Sequence, residues 1–382
     1  MRPPLVIAGA GIAGLALAAG LEHAGDAPPY VLLDERPALG STGGAITLWP
    51  NALAALDAIG VGDDVRRAGH ALGAGSVRTH DGRLLRSLDL ARSAAALGGP
   101  LVAVRRGELV EILHARVRPG TVRLGVAARG YRVEHGGVTV LTDTDPVIGV
   151  ALVGADGYRS EIARALHPQL PERYVGFPAW RGLADLGTRD GIEGVQIWGR
   201  GRELGIVPLG AHACYWFATA REPAGGAADD ELDHLRAAFA GWPDPVDRVL
   251  AATDPAVVTR NDVMDRAVPR RWTDGPVVVI GDAAHAMRPH LGQGGCQALV
   301  DAAVLARLLH GTGSSAAGSP LAAFGAFEAL RRRPAERVVR MSRAASRAVG
   351  APTPVHRLSA LVPDRLMLRS LARVAGTAAF PS

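Results

Sequence analysis

The residue types best suited to chemistry lie in one loop, 281–295, with the sequence GDAAHAMRPHLGQGG. An apolar run at 276–280, typical of a buried strand, precedes the loop, and an Ala/Leu-rich run with helical spacing follows it. Glycines just before a helix leave backbone N–H groups exposed, and a helix N-terminus favours anions or oxygen-rich ligands. The loop therefore predicts a ligand site, and its candidate groups are Asp282, His285, Pro289, His290, Gly292, Gly294 and Gly295.

A second turn of this kind opens the chain, where the pattern predicts a strand at 4–9, a helix at 12–24 and a strand at 29–34. The turn between the first two elements is GAGIAG. In this motif Gly9 permits the tight turn, Gly11 lets the backbone approach a pyrophosphate, and Gly14 lets the helix pack on the strand. Asp34 ends the second strand at the distance from Gly14 that suits a ribose contact. Dinucleotide binding is the favoured interpretation, with a plain strand–turn–helix as the alternative.

A third turn, GADGYRS at 154–160, follows another buried run at 148–153. Asp156 and Gly157 lie in it, so that all three turns combine exposed glycine backbone with an acid or a helix end. A nicotinamide dinucleotide would need only the first turn, whereas the longer FAD could contact all three. Asp156 and Asp282 could alternatively be turn or helix-cap acids.

The segments between these turns predict a discontinuous α/β domain interrupted by a sheet. Aromatic and strand-like runs within 172–263 indicate antiparallel strands, followed by a helix at 230–242. An arginine-rich helix interrupted at Pro334 is expected at 325–349, and an amphipathic stretch at about 356–375. The predicted fold is a Rossmann-like FAD-binding domain (1–70, 98–171 and 264–325), an inserted mainly antiparallel substrate domain (71–97 and 172–263) and C-terminal helices (326–382).

The amino-acid composition limits the kinds of partner that the protein is expected to bind. The 382 residues include 42 arginines and no lysine, and the net charge is +5, but the arginines are spread along the chain, which argues against a nucleic-acid surface. The charge-free segment 5–21 is short for a membrane span and contains four glycines. Cys214 and Cys296 lack the spacing of metal ligands and are typical of reduced thiols in a cytoplasmic protein. We expect no metal, no nucleic acid and no stable membrane span; the oligomeric state is left open.

In the order of its three turns the chain resembles the single-component FAD-dependent aromatic hydroxylases, with the fold of p-hydroxybenzoate hydroxylase. WPNAL at 49–53 and WGRGRELGIVPL at 198–209 are similar to the subgroup of urate hydroxylases and zeaxanthin epoxidases. The DG motif departs from the family pattern because an alanine, Ala163, stands where an arginine is usual and Arg164 comes one place late. The resemblance implies FAD as cofactor, with the binding residues Gly9, Gly11, Ala13, Gly14, Asp34, Arg106, Asp156, Gly157, Asp282, Pro289, Gly292, Gly294 and Gly295.

The implied activity is NAD(P)H- and dioxygen-dependent hydroxylation or epoxidation, through a flavin hydroperoxide, of a small aromatic or heteroaromatic substrate, in bacterial secondary metabolism or aromatic catabolism. The candidate catalytic residues are Pro289, His285 and Arg181. His285 and His290 could instead only shape the loop, Arg181 could lie on a solvated strand face, and Cys296 is expected to be structural. An FAD-dependent reductase or oxidase without oxygen insertion, and a catalytically idle flavin-binding protein, are the alternatives.

Overall fold

The computed structural model describes residues 3–25, 27–40, 44–134, 136–187, 192–310, 320–352, 355–356 and 362–381. Its described helices are α1 (Ile12–His23), α2 (Pro50–Ala58), α3 (Gly62–Ala68), α4 (Leu90–Leu97), α5 (Arg106–His114), α6 (Glu161–Leu166), α7 (Glu231–Ala238), α8 (Val246–Ala251), α9 (Asp282–His285), α10 (Gly294–Leu309), α11 (Pro320–Val349) and α12 (Asp364–Ala375). The strands are β1 (Leu5–Ala8), β2 (Tyr30–Asp34), β3 (Ala45–Leu48), β4 (His70–Ala71), β5 (Ala74–Thr79), β6 (Leu84–Asp89), β7 (Val102–Arg105), β8 (Val122–Leu124), β9 (Ala128–Glu134), β10 (Gly137–Thr142), β11 (Val147–Gly149), β12 (Ala151–Gly154), β13 (Glu172–Asp185), β14 (Gly194–Gly199), β15 (Arg202–Pro208), β16 (Ala213–Ala220), β17 (Thr259–Arg266), β18 (Thr273–Asp274) and β19 (Val277–Val279).

A six-stranded sheet in the order β18-β19-β12-β1-β2-β8 forms the centre of the larger layer. Its strands pair in parallel except at the edge pair β18–β19. The runs LVIA, ALVG and VVV are buried at every position because both faces of the sheet are covered: α1 packs on one face, and the three-stranded sheet β11-β10-β9 packs on the other. The predicted Rossmann-like α/β domain is confirmed.

A seven-stranded, mainly antiparallel sheet in the order β17-β13-β16-β15-β14-β5-β6 forms the second layer. One face packs under α7 and α8 and carries the buried indoles of Trp180 and Trp216. The opposite face is only half-buried, since Arg181, Tyr215 and Phe217 alternate with these core residues. The segment 71–97 contributes β5 and β6 to the same sheet, so its irregular sequence pattern concealed two strands.

Two boundary predictions were wrong. Helix α11 runs without interruption from Pro320 to Val349, and Pro334 lies inside it. The run at 148–153 forms two strands, because Val150 leaves the β10 pairing and β12 then joins β1. The last amphipathic stretch is helical from Asp364, and its residues 357–361 lie outside the described part of the chain.

Candidate active site

The three glycine turns meet at one edge of the parallel sheet. Strands β19, β12, β1 and β2 are neighbours in the sheet. The three turns and Asp34 are at the carboxyl ends of these strands and therefore lie side by side. Backbone hydrogen bonds tie the turns together: the amide of Ala155 donates to Ala8 O (2.7 Å), and that of Ile280 donates to Gly154 O (2.9 Å). Residues distant in sequence thus form one continuous, glycine-lined edge.

The glycines of the GAGIAG turn have different surroundings. Gly9 has φ of +105°, and a side chain there would collide with the backbone of Ala155. A side chain at Gly14 would collide with the Gly9 carbonyl oxygen, because α1 packs tightly on the turn. Gly11, in contrast, has no atom within 4 Å of the place of a Cβ. The turn is closed on its protein side and open at Gly11, where a pyrophosphate would approach.

The carboxylate of Asp34, at the end of β2, stabilises the same turn. Its Oδ2 accepts a hydrogen bond from the Ala10 amide (2.7 Å), and Arg36 donates Nε to Oδ1 (2.8 Å). Burial alone would raise the pKa of Asp34, but these donors hold it below its usual value. Asp34 is therefore ionised and well placed, yet a ribose hydroxyl would share its oxygens with Arg36.

Asp156 has one occupied and one free carboxylate oxygen. Oδ2 accepts from the Ile162 amide (3.2 Å) at the start of α6, where Ser160 is the N-cap. Oδ1 is buried without a partner among the described residues, and burial raises the pKa of the group. Asp156 thus caps a helix, as the alternative interpretation proposed, and also has an oxygen available to a ligand. Gly157, with φ of +76°, has open space beside it.

Asp282 begins the short helix α9 and is exposed. Within the described residues its carboxylate has no hydrogen-bond partner, and Oδ1 lies 3.8 Å from the position a Cβ would take on Gly294. Pro289 is exposed on the same loop, and Gly292 takes the left-handed conformation with φ of +60°. Gly295 packs so closely on Ile46 that a side chain would collide with it. The loop therefore presents an exposed acid that has no hydrogen-bond partner in the described part of the chain, together with an exposed proline.

Arg266, a residue that sequence reasoning missed, connects two of the turns. It is 2% exposed at the end of β17. Its Nη1 donates to Tyr158 O (2.8 Å), and its Nη2 donates to Asp282 O (2.5 Å) and Ala283 O (2.6 Å). Burial lowers the pKa of Arg266, whereas the charge of Asp282 opposes that change. One guanidinium therefore fixes the DG turn to the loop that carries Asp282.

Arg164, the displaced arginine of the DG motif, lies at the surface. Its Nη1 donates to Arg159 O (2.8 Å) and to Glu161 (3.3 Å), and its side chain is 38% exposed. It makes none of the contacts that Arg266 makes across the two turns.

His285 lies in the core beneath the loop rather than on its open side. The imidazole is fully buried, and Nε2 is 2.6 Å from Asp301 Oδ2. Arg331 donates to the other oxygen of Asp301 (2.7 Å), and the Gly281 amide donates to Oδ2 (3.0 Å). Burial would raise the pKa of Asp301, but His285 and Arg331 hold it below its usual value. The geometry gives His285 a role in shaping the loop, and it does not place the ring where a substrate could reach it.

A buried polar network extends from this cluster to the C-terminal helix. Arg331 donates to Gln297 (2.7 Å), and the amides of Gln297 and Asn51 both donate to Gln293 Oε1 (3.1 Å). The same two amides also donate to the carbonyl oxygen of Val374 on α12. Gln293 belongs to the GQGG turn, so the network holds this turn from below.

The half-buried face of the seven-stranded sheet approaches the start of α5. Tyr215 lies next to Gly44, whose carbonyl accepts from the Arg106 amide (3.1 Å) at the start of α5. Burial raises the pKa of Tyr215, and the nearby guanidinium groups of Arg181 and Arg106 oppose the shift. Arg181 of the sheet and Arg106 of α5 are therefore both close to the phenol of Tyr215.

His290 of the loop lies next to Glu203 of β15. Nε2 of His290 lies 3.7 Å from Oε2 of Glu203, and both side chains are 2% exposed. The His290 ring makes an edge contact with Phe177, with centroids 5.3 Å apart. Glu203 lies in the charged hairpin WGRGREL, and nothing in that pattern indicates a buried carboxylate.

The two cysteines are buried and unpaired. The Cys296 thiol donates to Thr47 O (3.5 Å) and Gly292 O (3.6 Å), and burial raises its pKa to about 12. This environment is that of a structural thiol, as expected.

Across the described residues, no helix combines the length and apolar character needed to cross a bilayer.

Residues 3–342 match the FAD binding domain family, and the chain belongs to it. It is 38% identical over 309 residues to the aurachin C monooxygenase/isomerase of Stigmatella aurantiaca, covering 80% of each chain. It is 34% identical over 312 residues to the 2-heptyl-3-hydroxy-4(1H)-quinolone synthase of Pseudomonas aeruginosa, covering 80% of each. It is 32% identical over 322 residues to an FAD-dependent urate hydroxylase of Klebsiella pneumoniae, covering 82% and 83%.

The structure of Klebsiella pneumoniae HpxO complexed with FAD and uric acid superposes with a TM-score of 0.87, at 25% identity and 98% coverage of both chains. The predicted resemblance to the urate hydroxylase subgroup is confirmed. The chain is an FAD-dependent monooxygenase of the kind that acts on aromatic and heteroaromatic substrates, and NAD(P)H use is typical of its family. The open side of Gly11, the exposed Asp282 and the Asp156 Oδ1, which has no partner among the described residues, fit FAD.

Proposed function

We propose that this chain is a cytoplasmic, NAD(P)H-dependent monooxygenase that inserts one oxygen atom from dioxygen into a flat N-heterocycle of the 4(1H)-quinolone type. The observation that carries the proposal is the contact between the glycine loop and the half-buried sheet face, where His290, which follows Pro289, lies 3.7 Å from Glu203 on the face that also carries Phe217. An aromatic, partly polar wall across from a cofactor edge suits a planar ring. The products or substrates named for the relatives, a 4(1H)-quinolone and uric acid, are bicyclic heterocycles with ring N–H groups.

FAD, when bound, supplies the hydride transfer from NAD(P)H and the dioxygen chemistry. We propose that Gly11 and the α1 N-terminus hold its pyrophosphate, that Asp34, Arg106 and Asp156 position it, and that Asp282 with the Gly292–Gly295 turn holds its remaining part. The segments 71–97 and 172–263 would then form the substrate-side domain. Pro289 and the Phe217 ring would limit water beside the reacting carbon, which favours productive oxygen transfer.

Purified protein reconstituted with FAD tests the proposal. It is assayed with NADH and NADPH, in air, against 2-heptyl-4(1H)-quinolone and uric acid. The expected result is faster NAD(P)H oxidation with one heterocycle and a product heavier by one oxygen, which carries the label when the dioxygen is labelled. Catalase and peroxide measurements correct for oxidation that does not reach the substrate.

A product that carries no label would favour the reductase alternative. A flavin that neither nicotinamide nucleotide reduces would favour the idle binding protein.

A further inference from the structure

We propose that Glu203 is a specificity-determining residue whose Oε2 accepts a hydrogen bond from the ring N–H, or the equivalent O–H, of the substrate. This inference deepens the proposed function and rests on it. It starts from a buried carboxylate, on the sheet face that carries Phe217 and 3.7 Å from His290 of the loop, that the described residues leave partly unpaired.

The described residues make few interactions that offset the cost of burying the Glu203 carboxylate. Trp198 donates Nε1 to Oε1 at 3.2 Å, and this is the one hydrogen bond that the described residues make to the carboxylate. The 3.7 Å separation from His290 Nε2 to Oε2 is too long for a second one. A carboxylate that is 2% exposed and lacks a cationic partner is costly unless a further donor arrives.

His290 does not act as that missing cation. Burial, with a further contribution from the charge of Arg288, lowers the pKa of His290 to about 4. Its ring is therefore neutral at pH 7, and its Nδ1 is buried without a partner in the described part of the chain. The same burial raises the pKa of Glu203 to about 7, against the opposing hydrogen bond from Trp198. Glu203 Oε2 and the neutral His290 ring thus lie side by side, and each lacks a full set of hydrogen-bond partners among the described residues.

The side chains around Glu203 indicate which kind of ligand could donate to it. Glu203 pairs with Thr219 in the β15–β16 register, and the next pair on that face is Gly205 with Phe217. The Phe217 ring lies directly over Gly205, where a side chain would collide with it. Phe177 closes the other side through His290. Aromatic walls with one acceptor at the end suit a flat, uncharged ring that carries a donor.

The position of the bound substrate ring relative to Pro289 follows from the order of residues in the loop. His290 directly follows Pro289, so a ring held by Glu203 lies beside the loop that presents Pro289 and Gly292. A donor contact at Glu203 would therefore orient the ring as well as select it. Matching a buried acceptor to a substrate donor discriminates strongly against an analogue that lacks the donor, because the acceptor is then left unpaired.

The test uses the FAD-loaded enzyme and a matched ligand pair, 2-heptyl-4(1H)-quinolone and its N-methyl derivative. Dissociation constants are measured from the change in flavin absorbance at pH 8. We expect the N–H ligand to bind the wild type about 10- to 100-fold more tightly than the N-methyl ligand. Glu203→Leu should reduce this ratio to about 1, and Glu203→Gln, which keeps an acceptor oxygen, should restore part of it.

The control is Glu231→Gln. Glu231 accepts from Trp180 Nε1 (2.7 Å) on the opposite face of the sheet, so it is also a carboxylate paired with an indole. This variant should keep the wild-type ratio. Discrimination that survives in Glu203→Leu, equal binding of both ligands by the wild type, or binding of neither would overturn the assignment. FAD content and labelled-oxygen incorporation with any heterocycle report on the proposed function separately.

Discussion

The guanidinium of Arg266 donates to the main-chain oxygen of Asp282 at 2.5 Å, so β17 of the seven-stranded sheet holds the loop that carries the candidate cofactor acid. The same side chain reaches Tyr158 in the DG turn. The relative position of two ligand-facing turns therefore depends on a residue that belongs to neither of them.

Replacing Arg266 with Ala should lower the free energy of unfolding by about 3 kcal/mol, because buried carbonyl oxygens lose their donor. FAD affinity should fall as well, since the two turns are no longer held together. Arg164→Ala is the matched control, and as a surface substitution it should change stability by less than about 0.5 kcal/mol. Chemical denaturation and FAD titration measure both quantities. Equal effects of the two variants would contradict the role given to Arg266.

Replacing Asp282 with Asn should weaken FAD binding by about tenfold or more, the size expected when a charge-assisted hydrogen bond is lost. The fold should be preserved, because the carboxylate is exposed and makes no protein hydrogen bond in the described residues. Fluorescence titration of the apoprotein with FAD checks the affinity, and circular dichroism checks the fold. Unchanged affinity would remove Asp282 from the cofactor site.

Two glycines of the first turn should respond differently to alanine. In Gly14→Ala the new side chain collides with the Gly9 carbonyl, so the apoprotein should lose about 2 to 3 kcal/mol of stability. Gly11 has extended backbone and open space, so Gly11→Ala should leave the apoprotein as stable as the wild type. It should nevertheless impair FAD binding, because the added methyl occupies the pyrophosphate side. Full FAD affinity in Gly11→Ala would show that this side is not used.

Replacing Asp301 with Asn should destabilise the protein by about 3 to 5 kcal/mol, because Arg331 is left as a buried charge without a counter-ion. Asp57→Asn, which breaks an exposed pair with Arg66, should cost less than about 1 kcal/mol. Urea unfolding of both variants provides the comparison. A small effect at Asp301 would mean that the surrounding network supplies other compensation.

Glu203→Gln should make the protein more stable at pH 8 but not at pH 5. Burial raises the Glu203 pKa from 4.5 to about 7, so the unfolded chain loses this proton at lower pH than the folded chain. Stability therefore falls as pH rises between these values, by about 3 kcal/mol at most, and glutamine does not suffer that loss. Thermal unfolding of both proteins from pH 5 to pH 8 measures the difference. A constant difference would contradict the raised pKa.

Local sequence patterns were sufficient for the parallel sheet and its turns, because apolar runs and glycine spacing are determined by neighbours in the chain. The placement of Glu203 and Arg266 could not be predicted in this way. Both stand among charged residues typical of a solvated surface, and their burial depends on strand register and on how the two sheets face each other. His285 shows the opposite case, because its motif position suggested chemistry while its contact with Asp301 withdraws it into the core.

The carbonyl oxygen of Val374 accepts hydrogen bonds from Asn51 and Gln297, two amides that also hold Gln293. Helix α12 is thus hydrogen-bonded into the core of the FAD-binding domain. Deleting α12 would remove one of the two acceptors of each of these buried amides and leave only Gln293 Oε1 to them, at the base of the GQGG turn. We expect such a truncation to weaken the retention of the flavin.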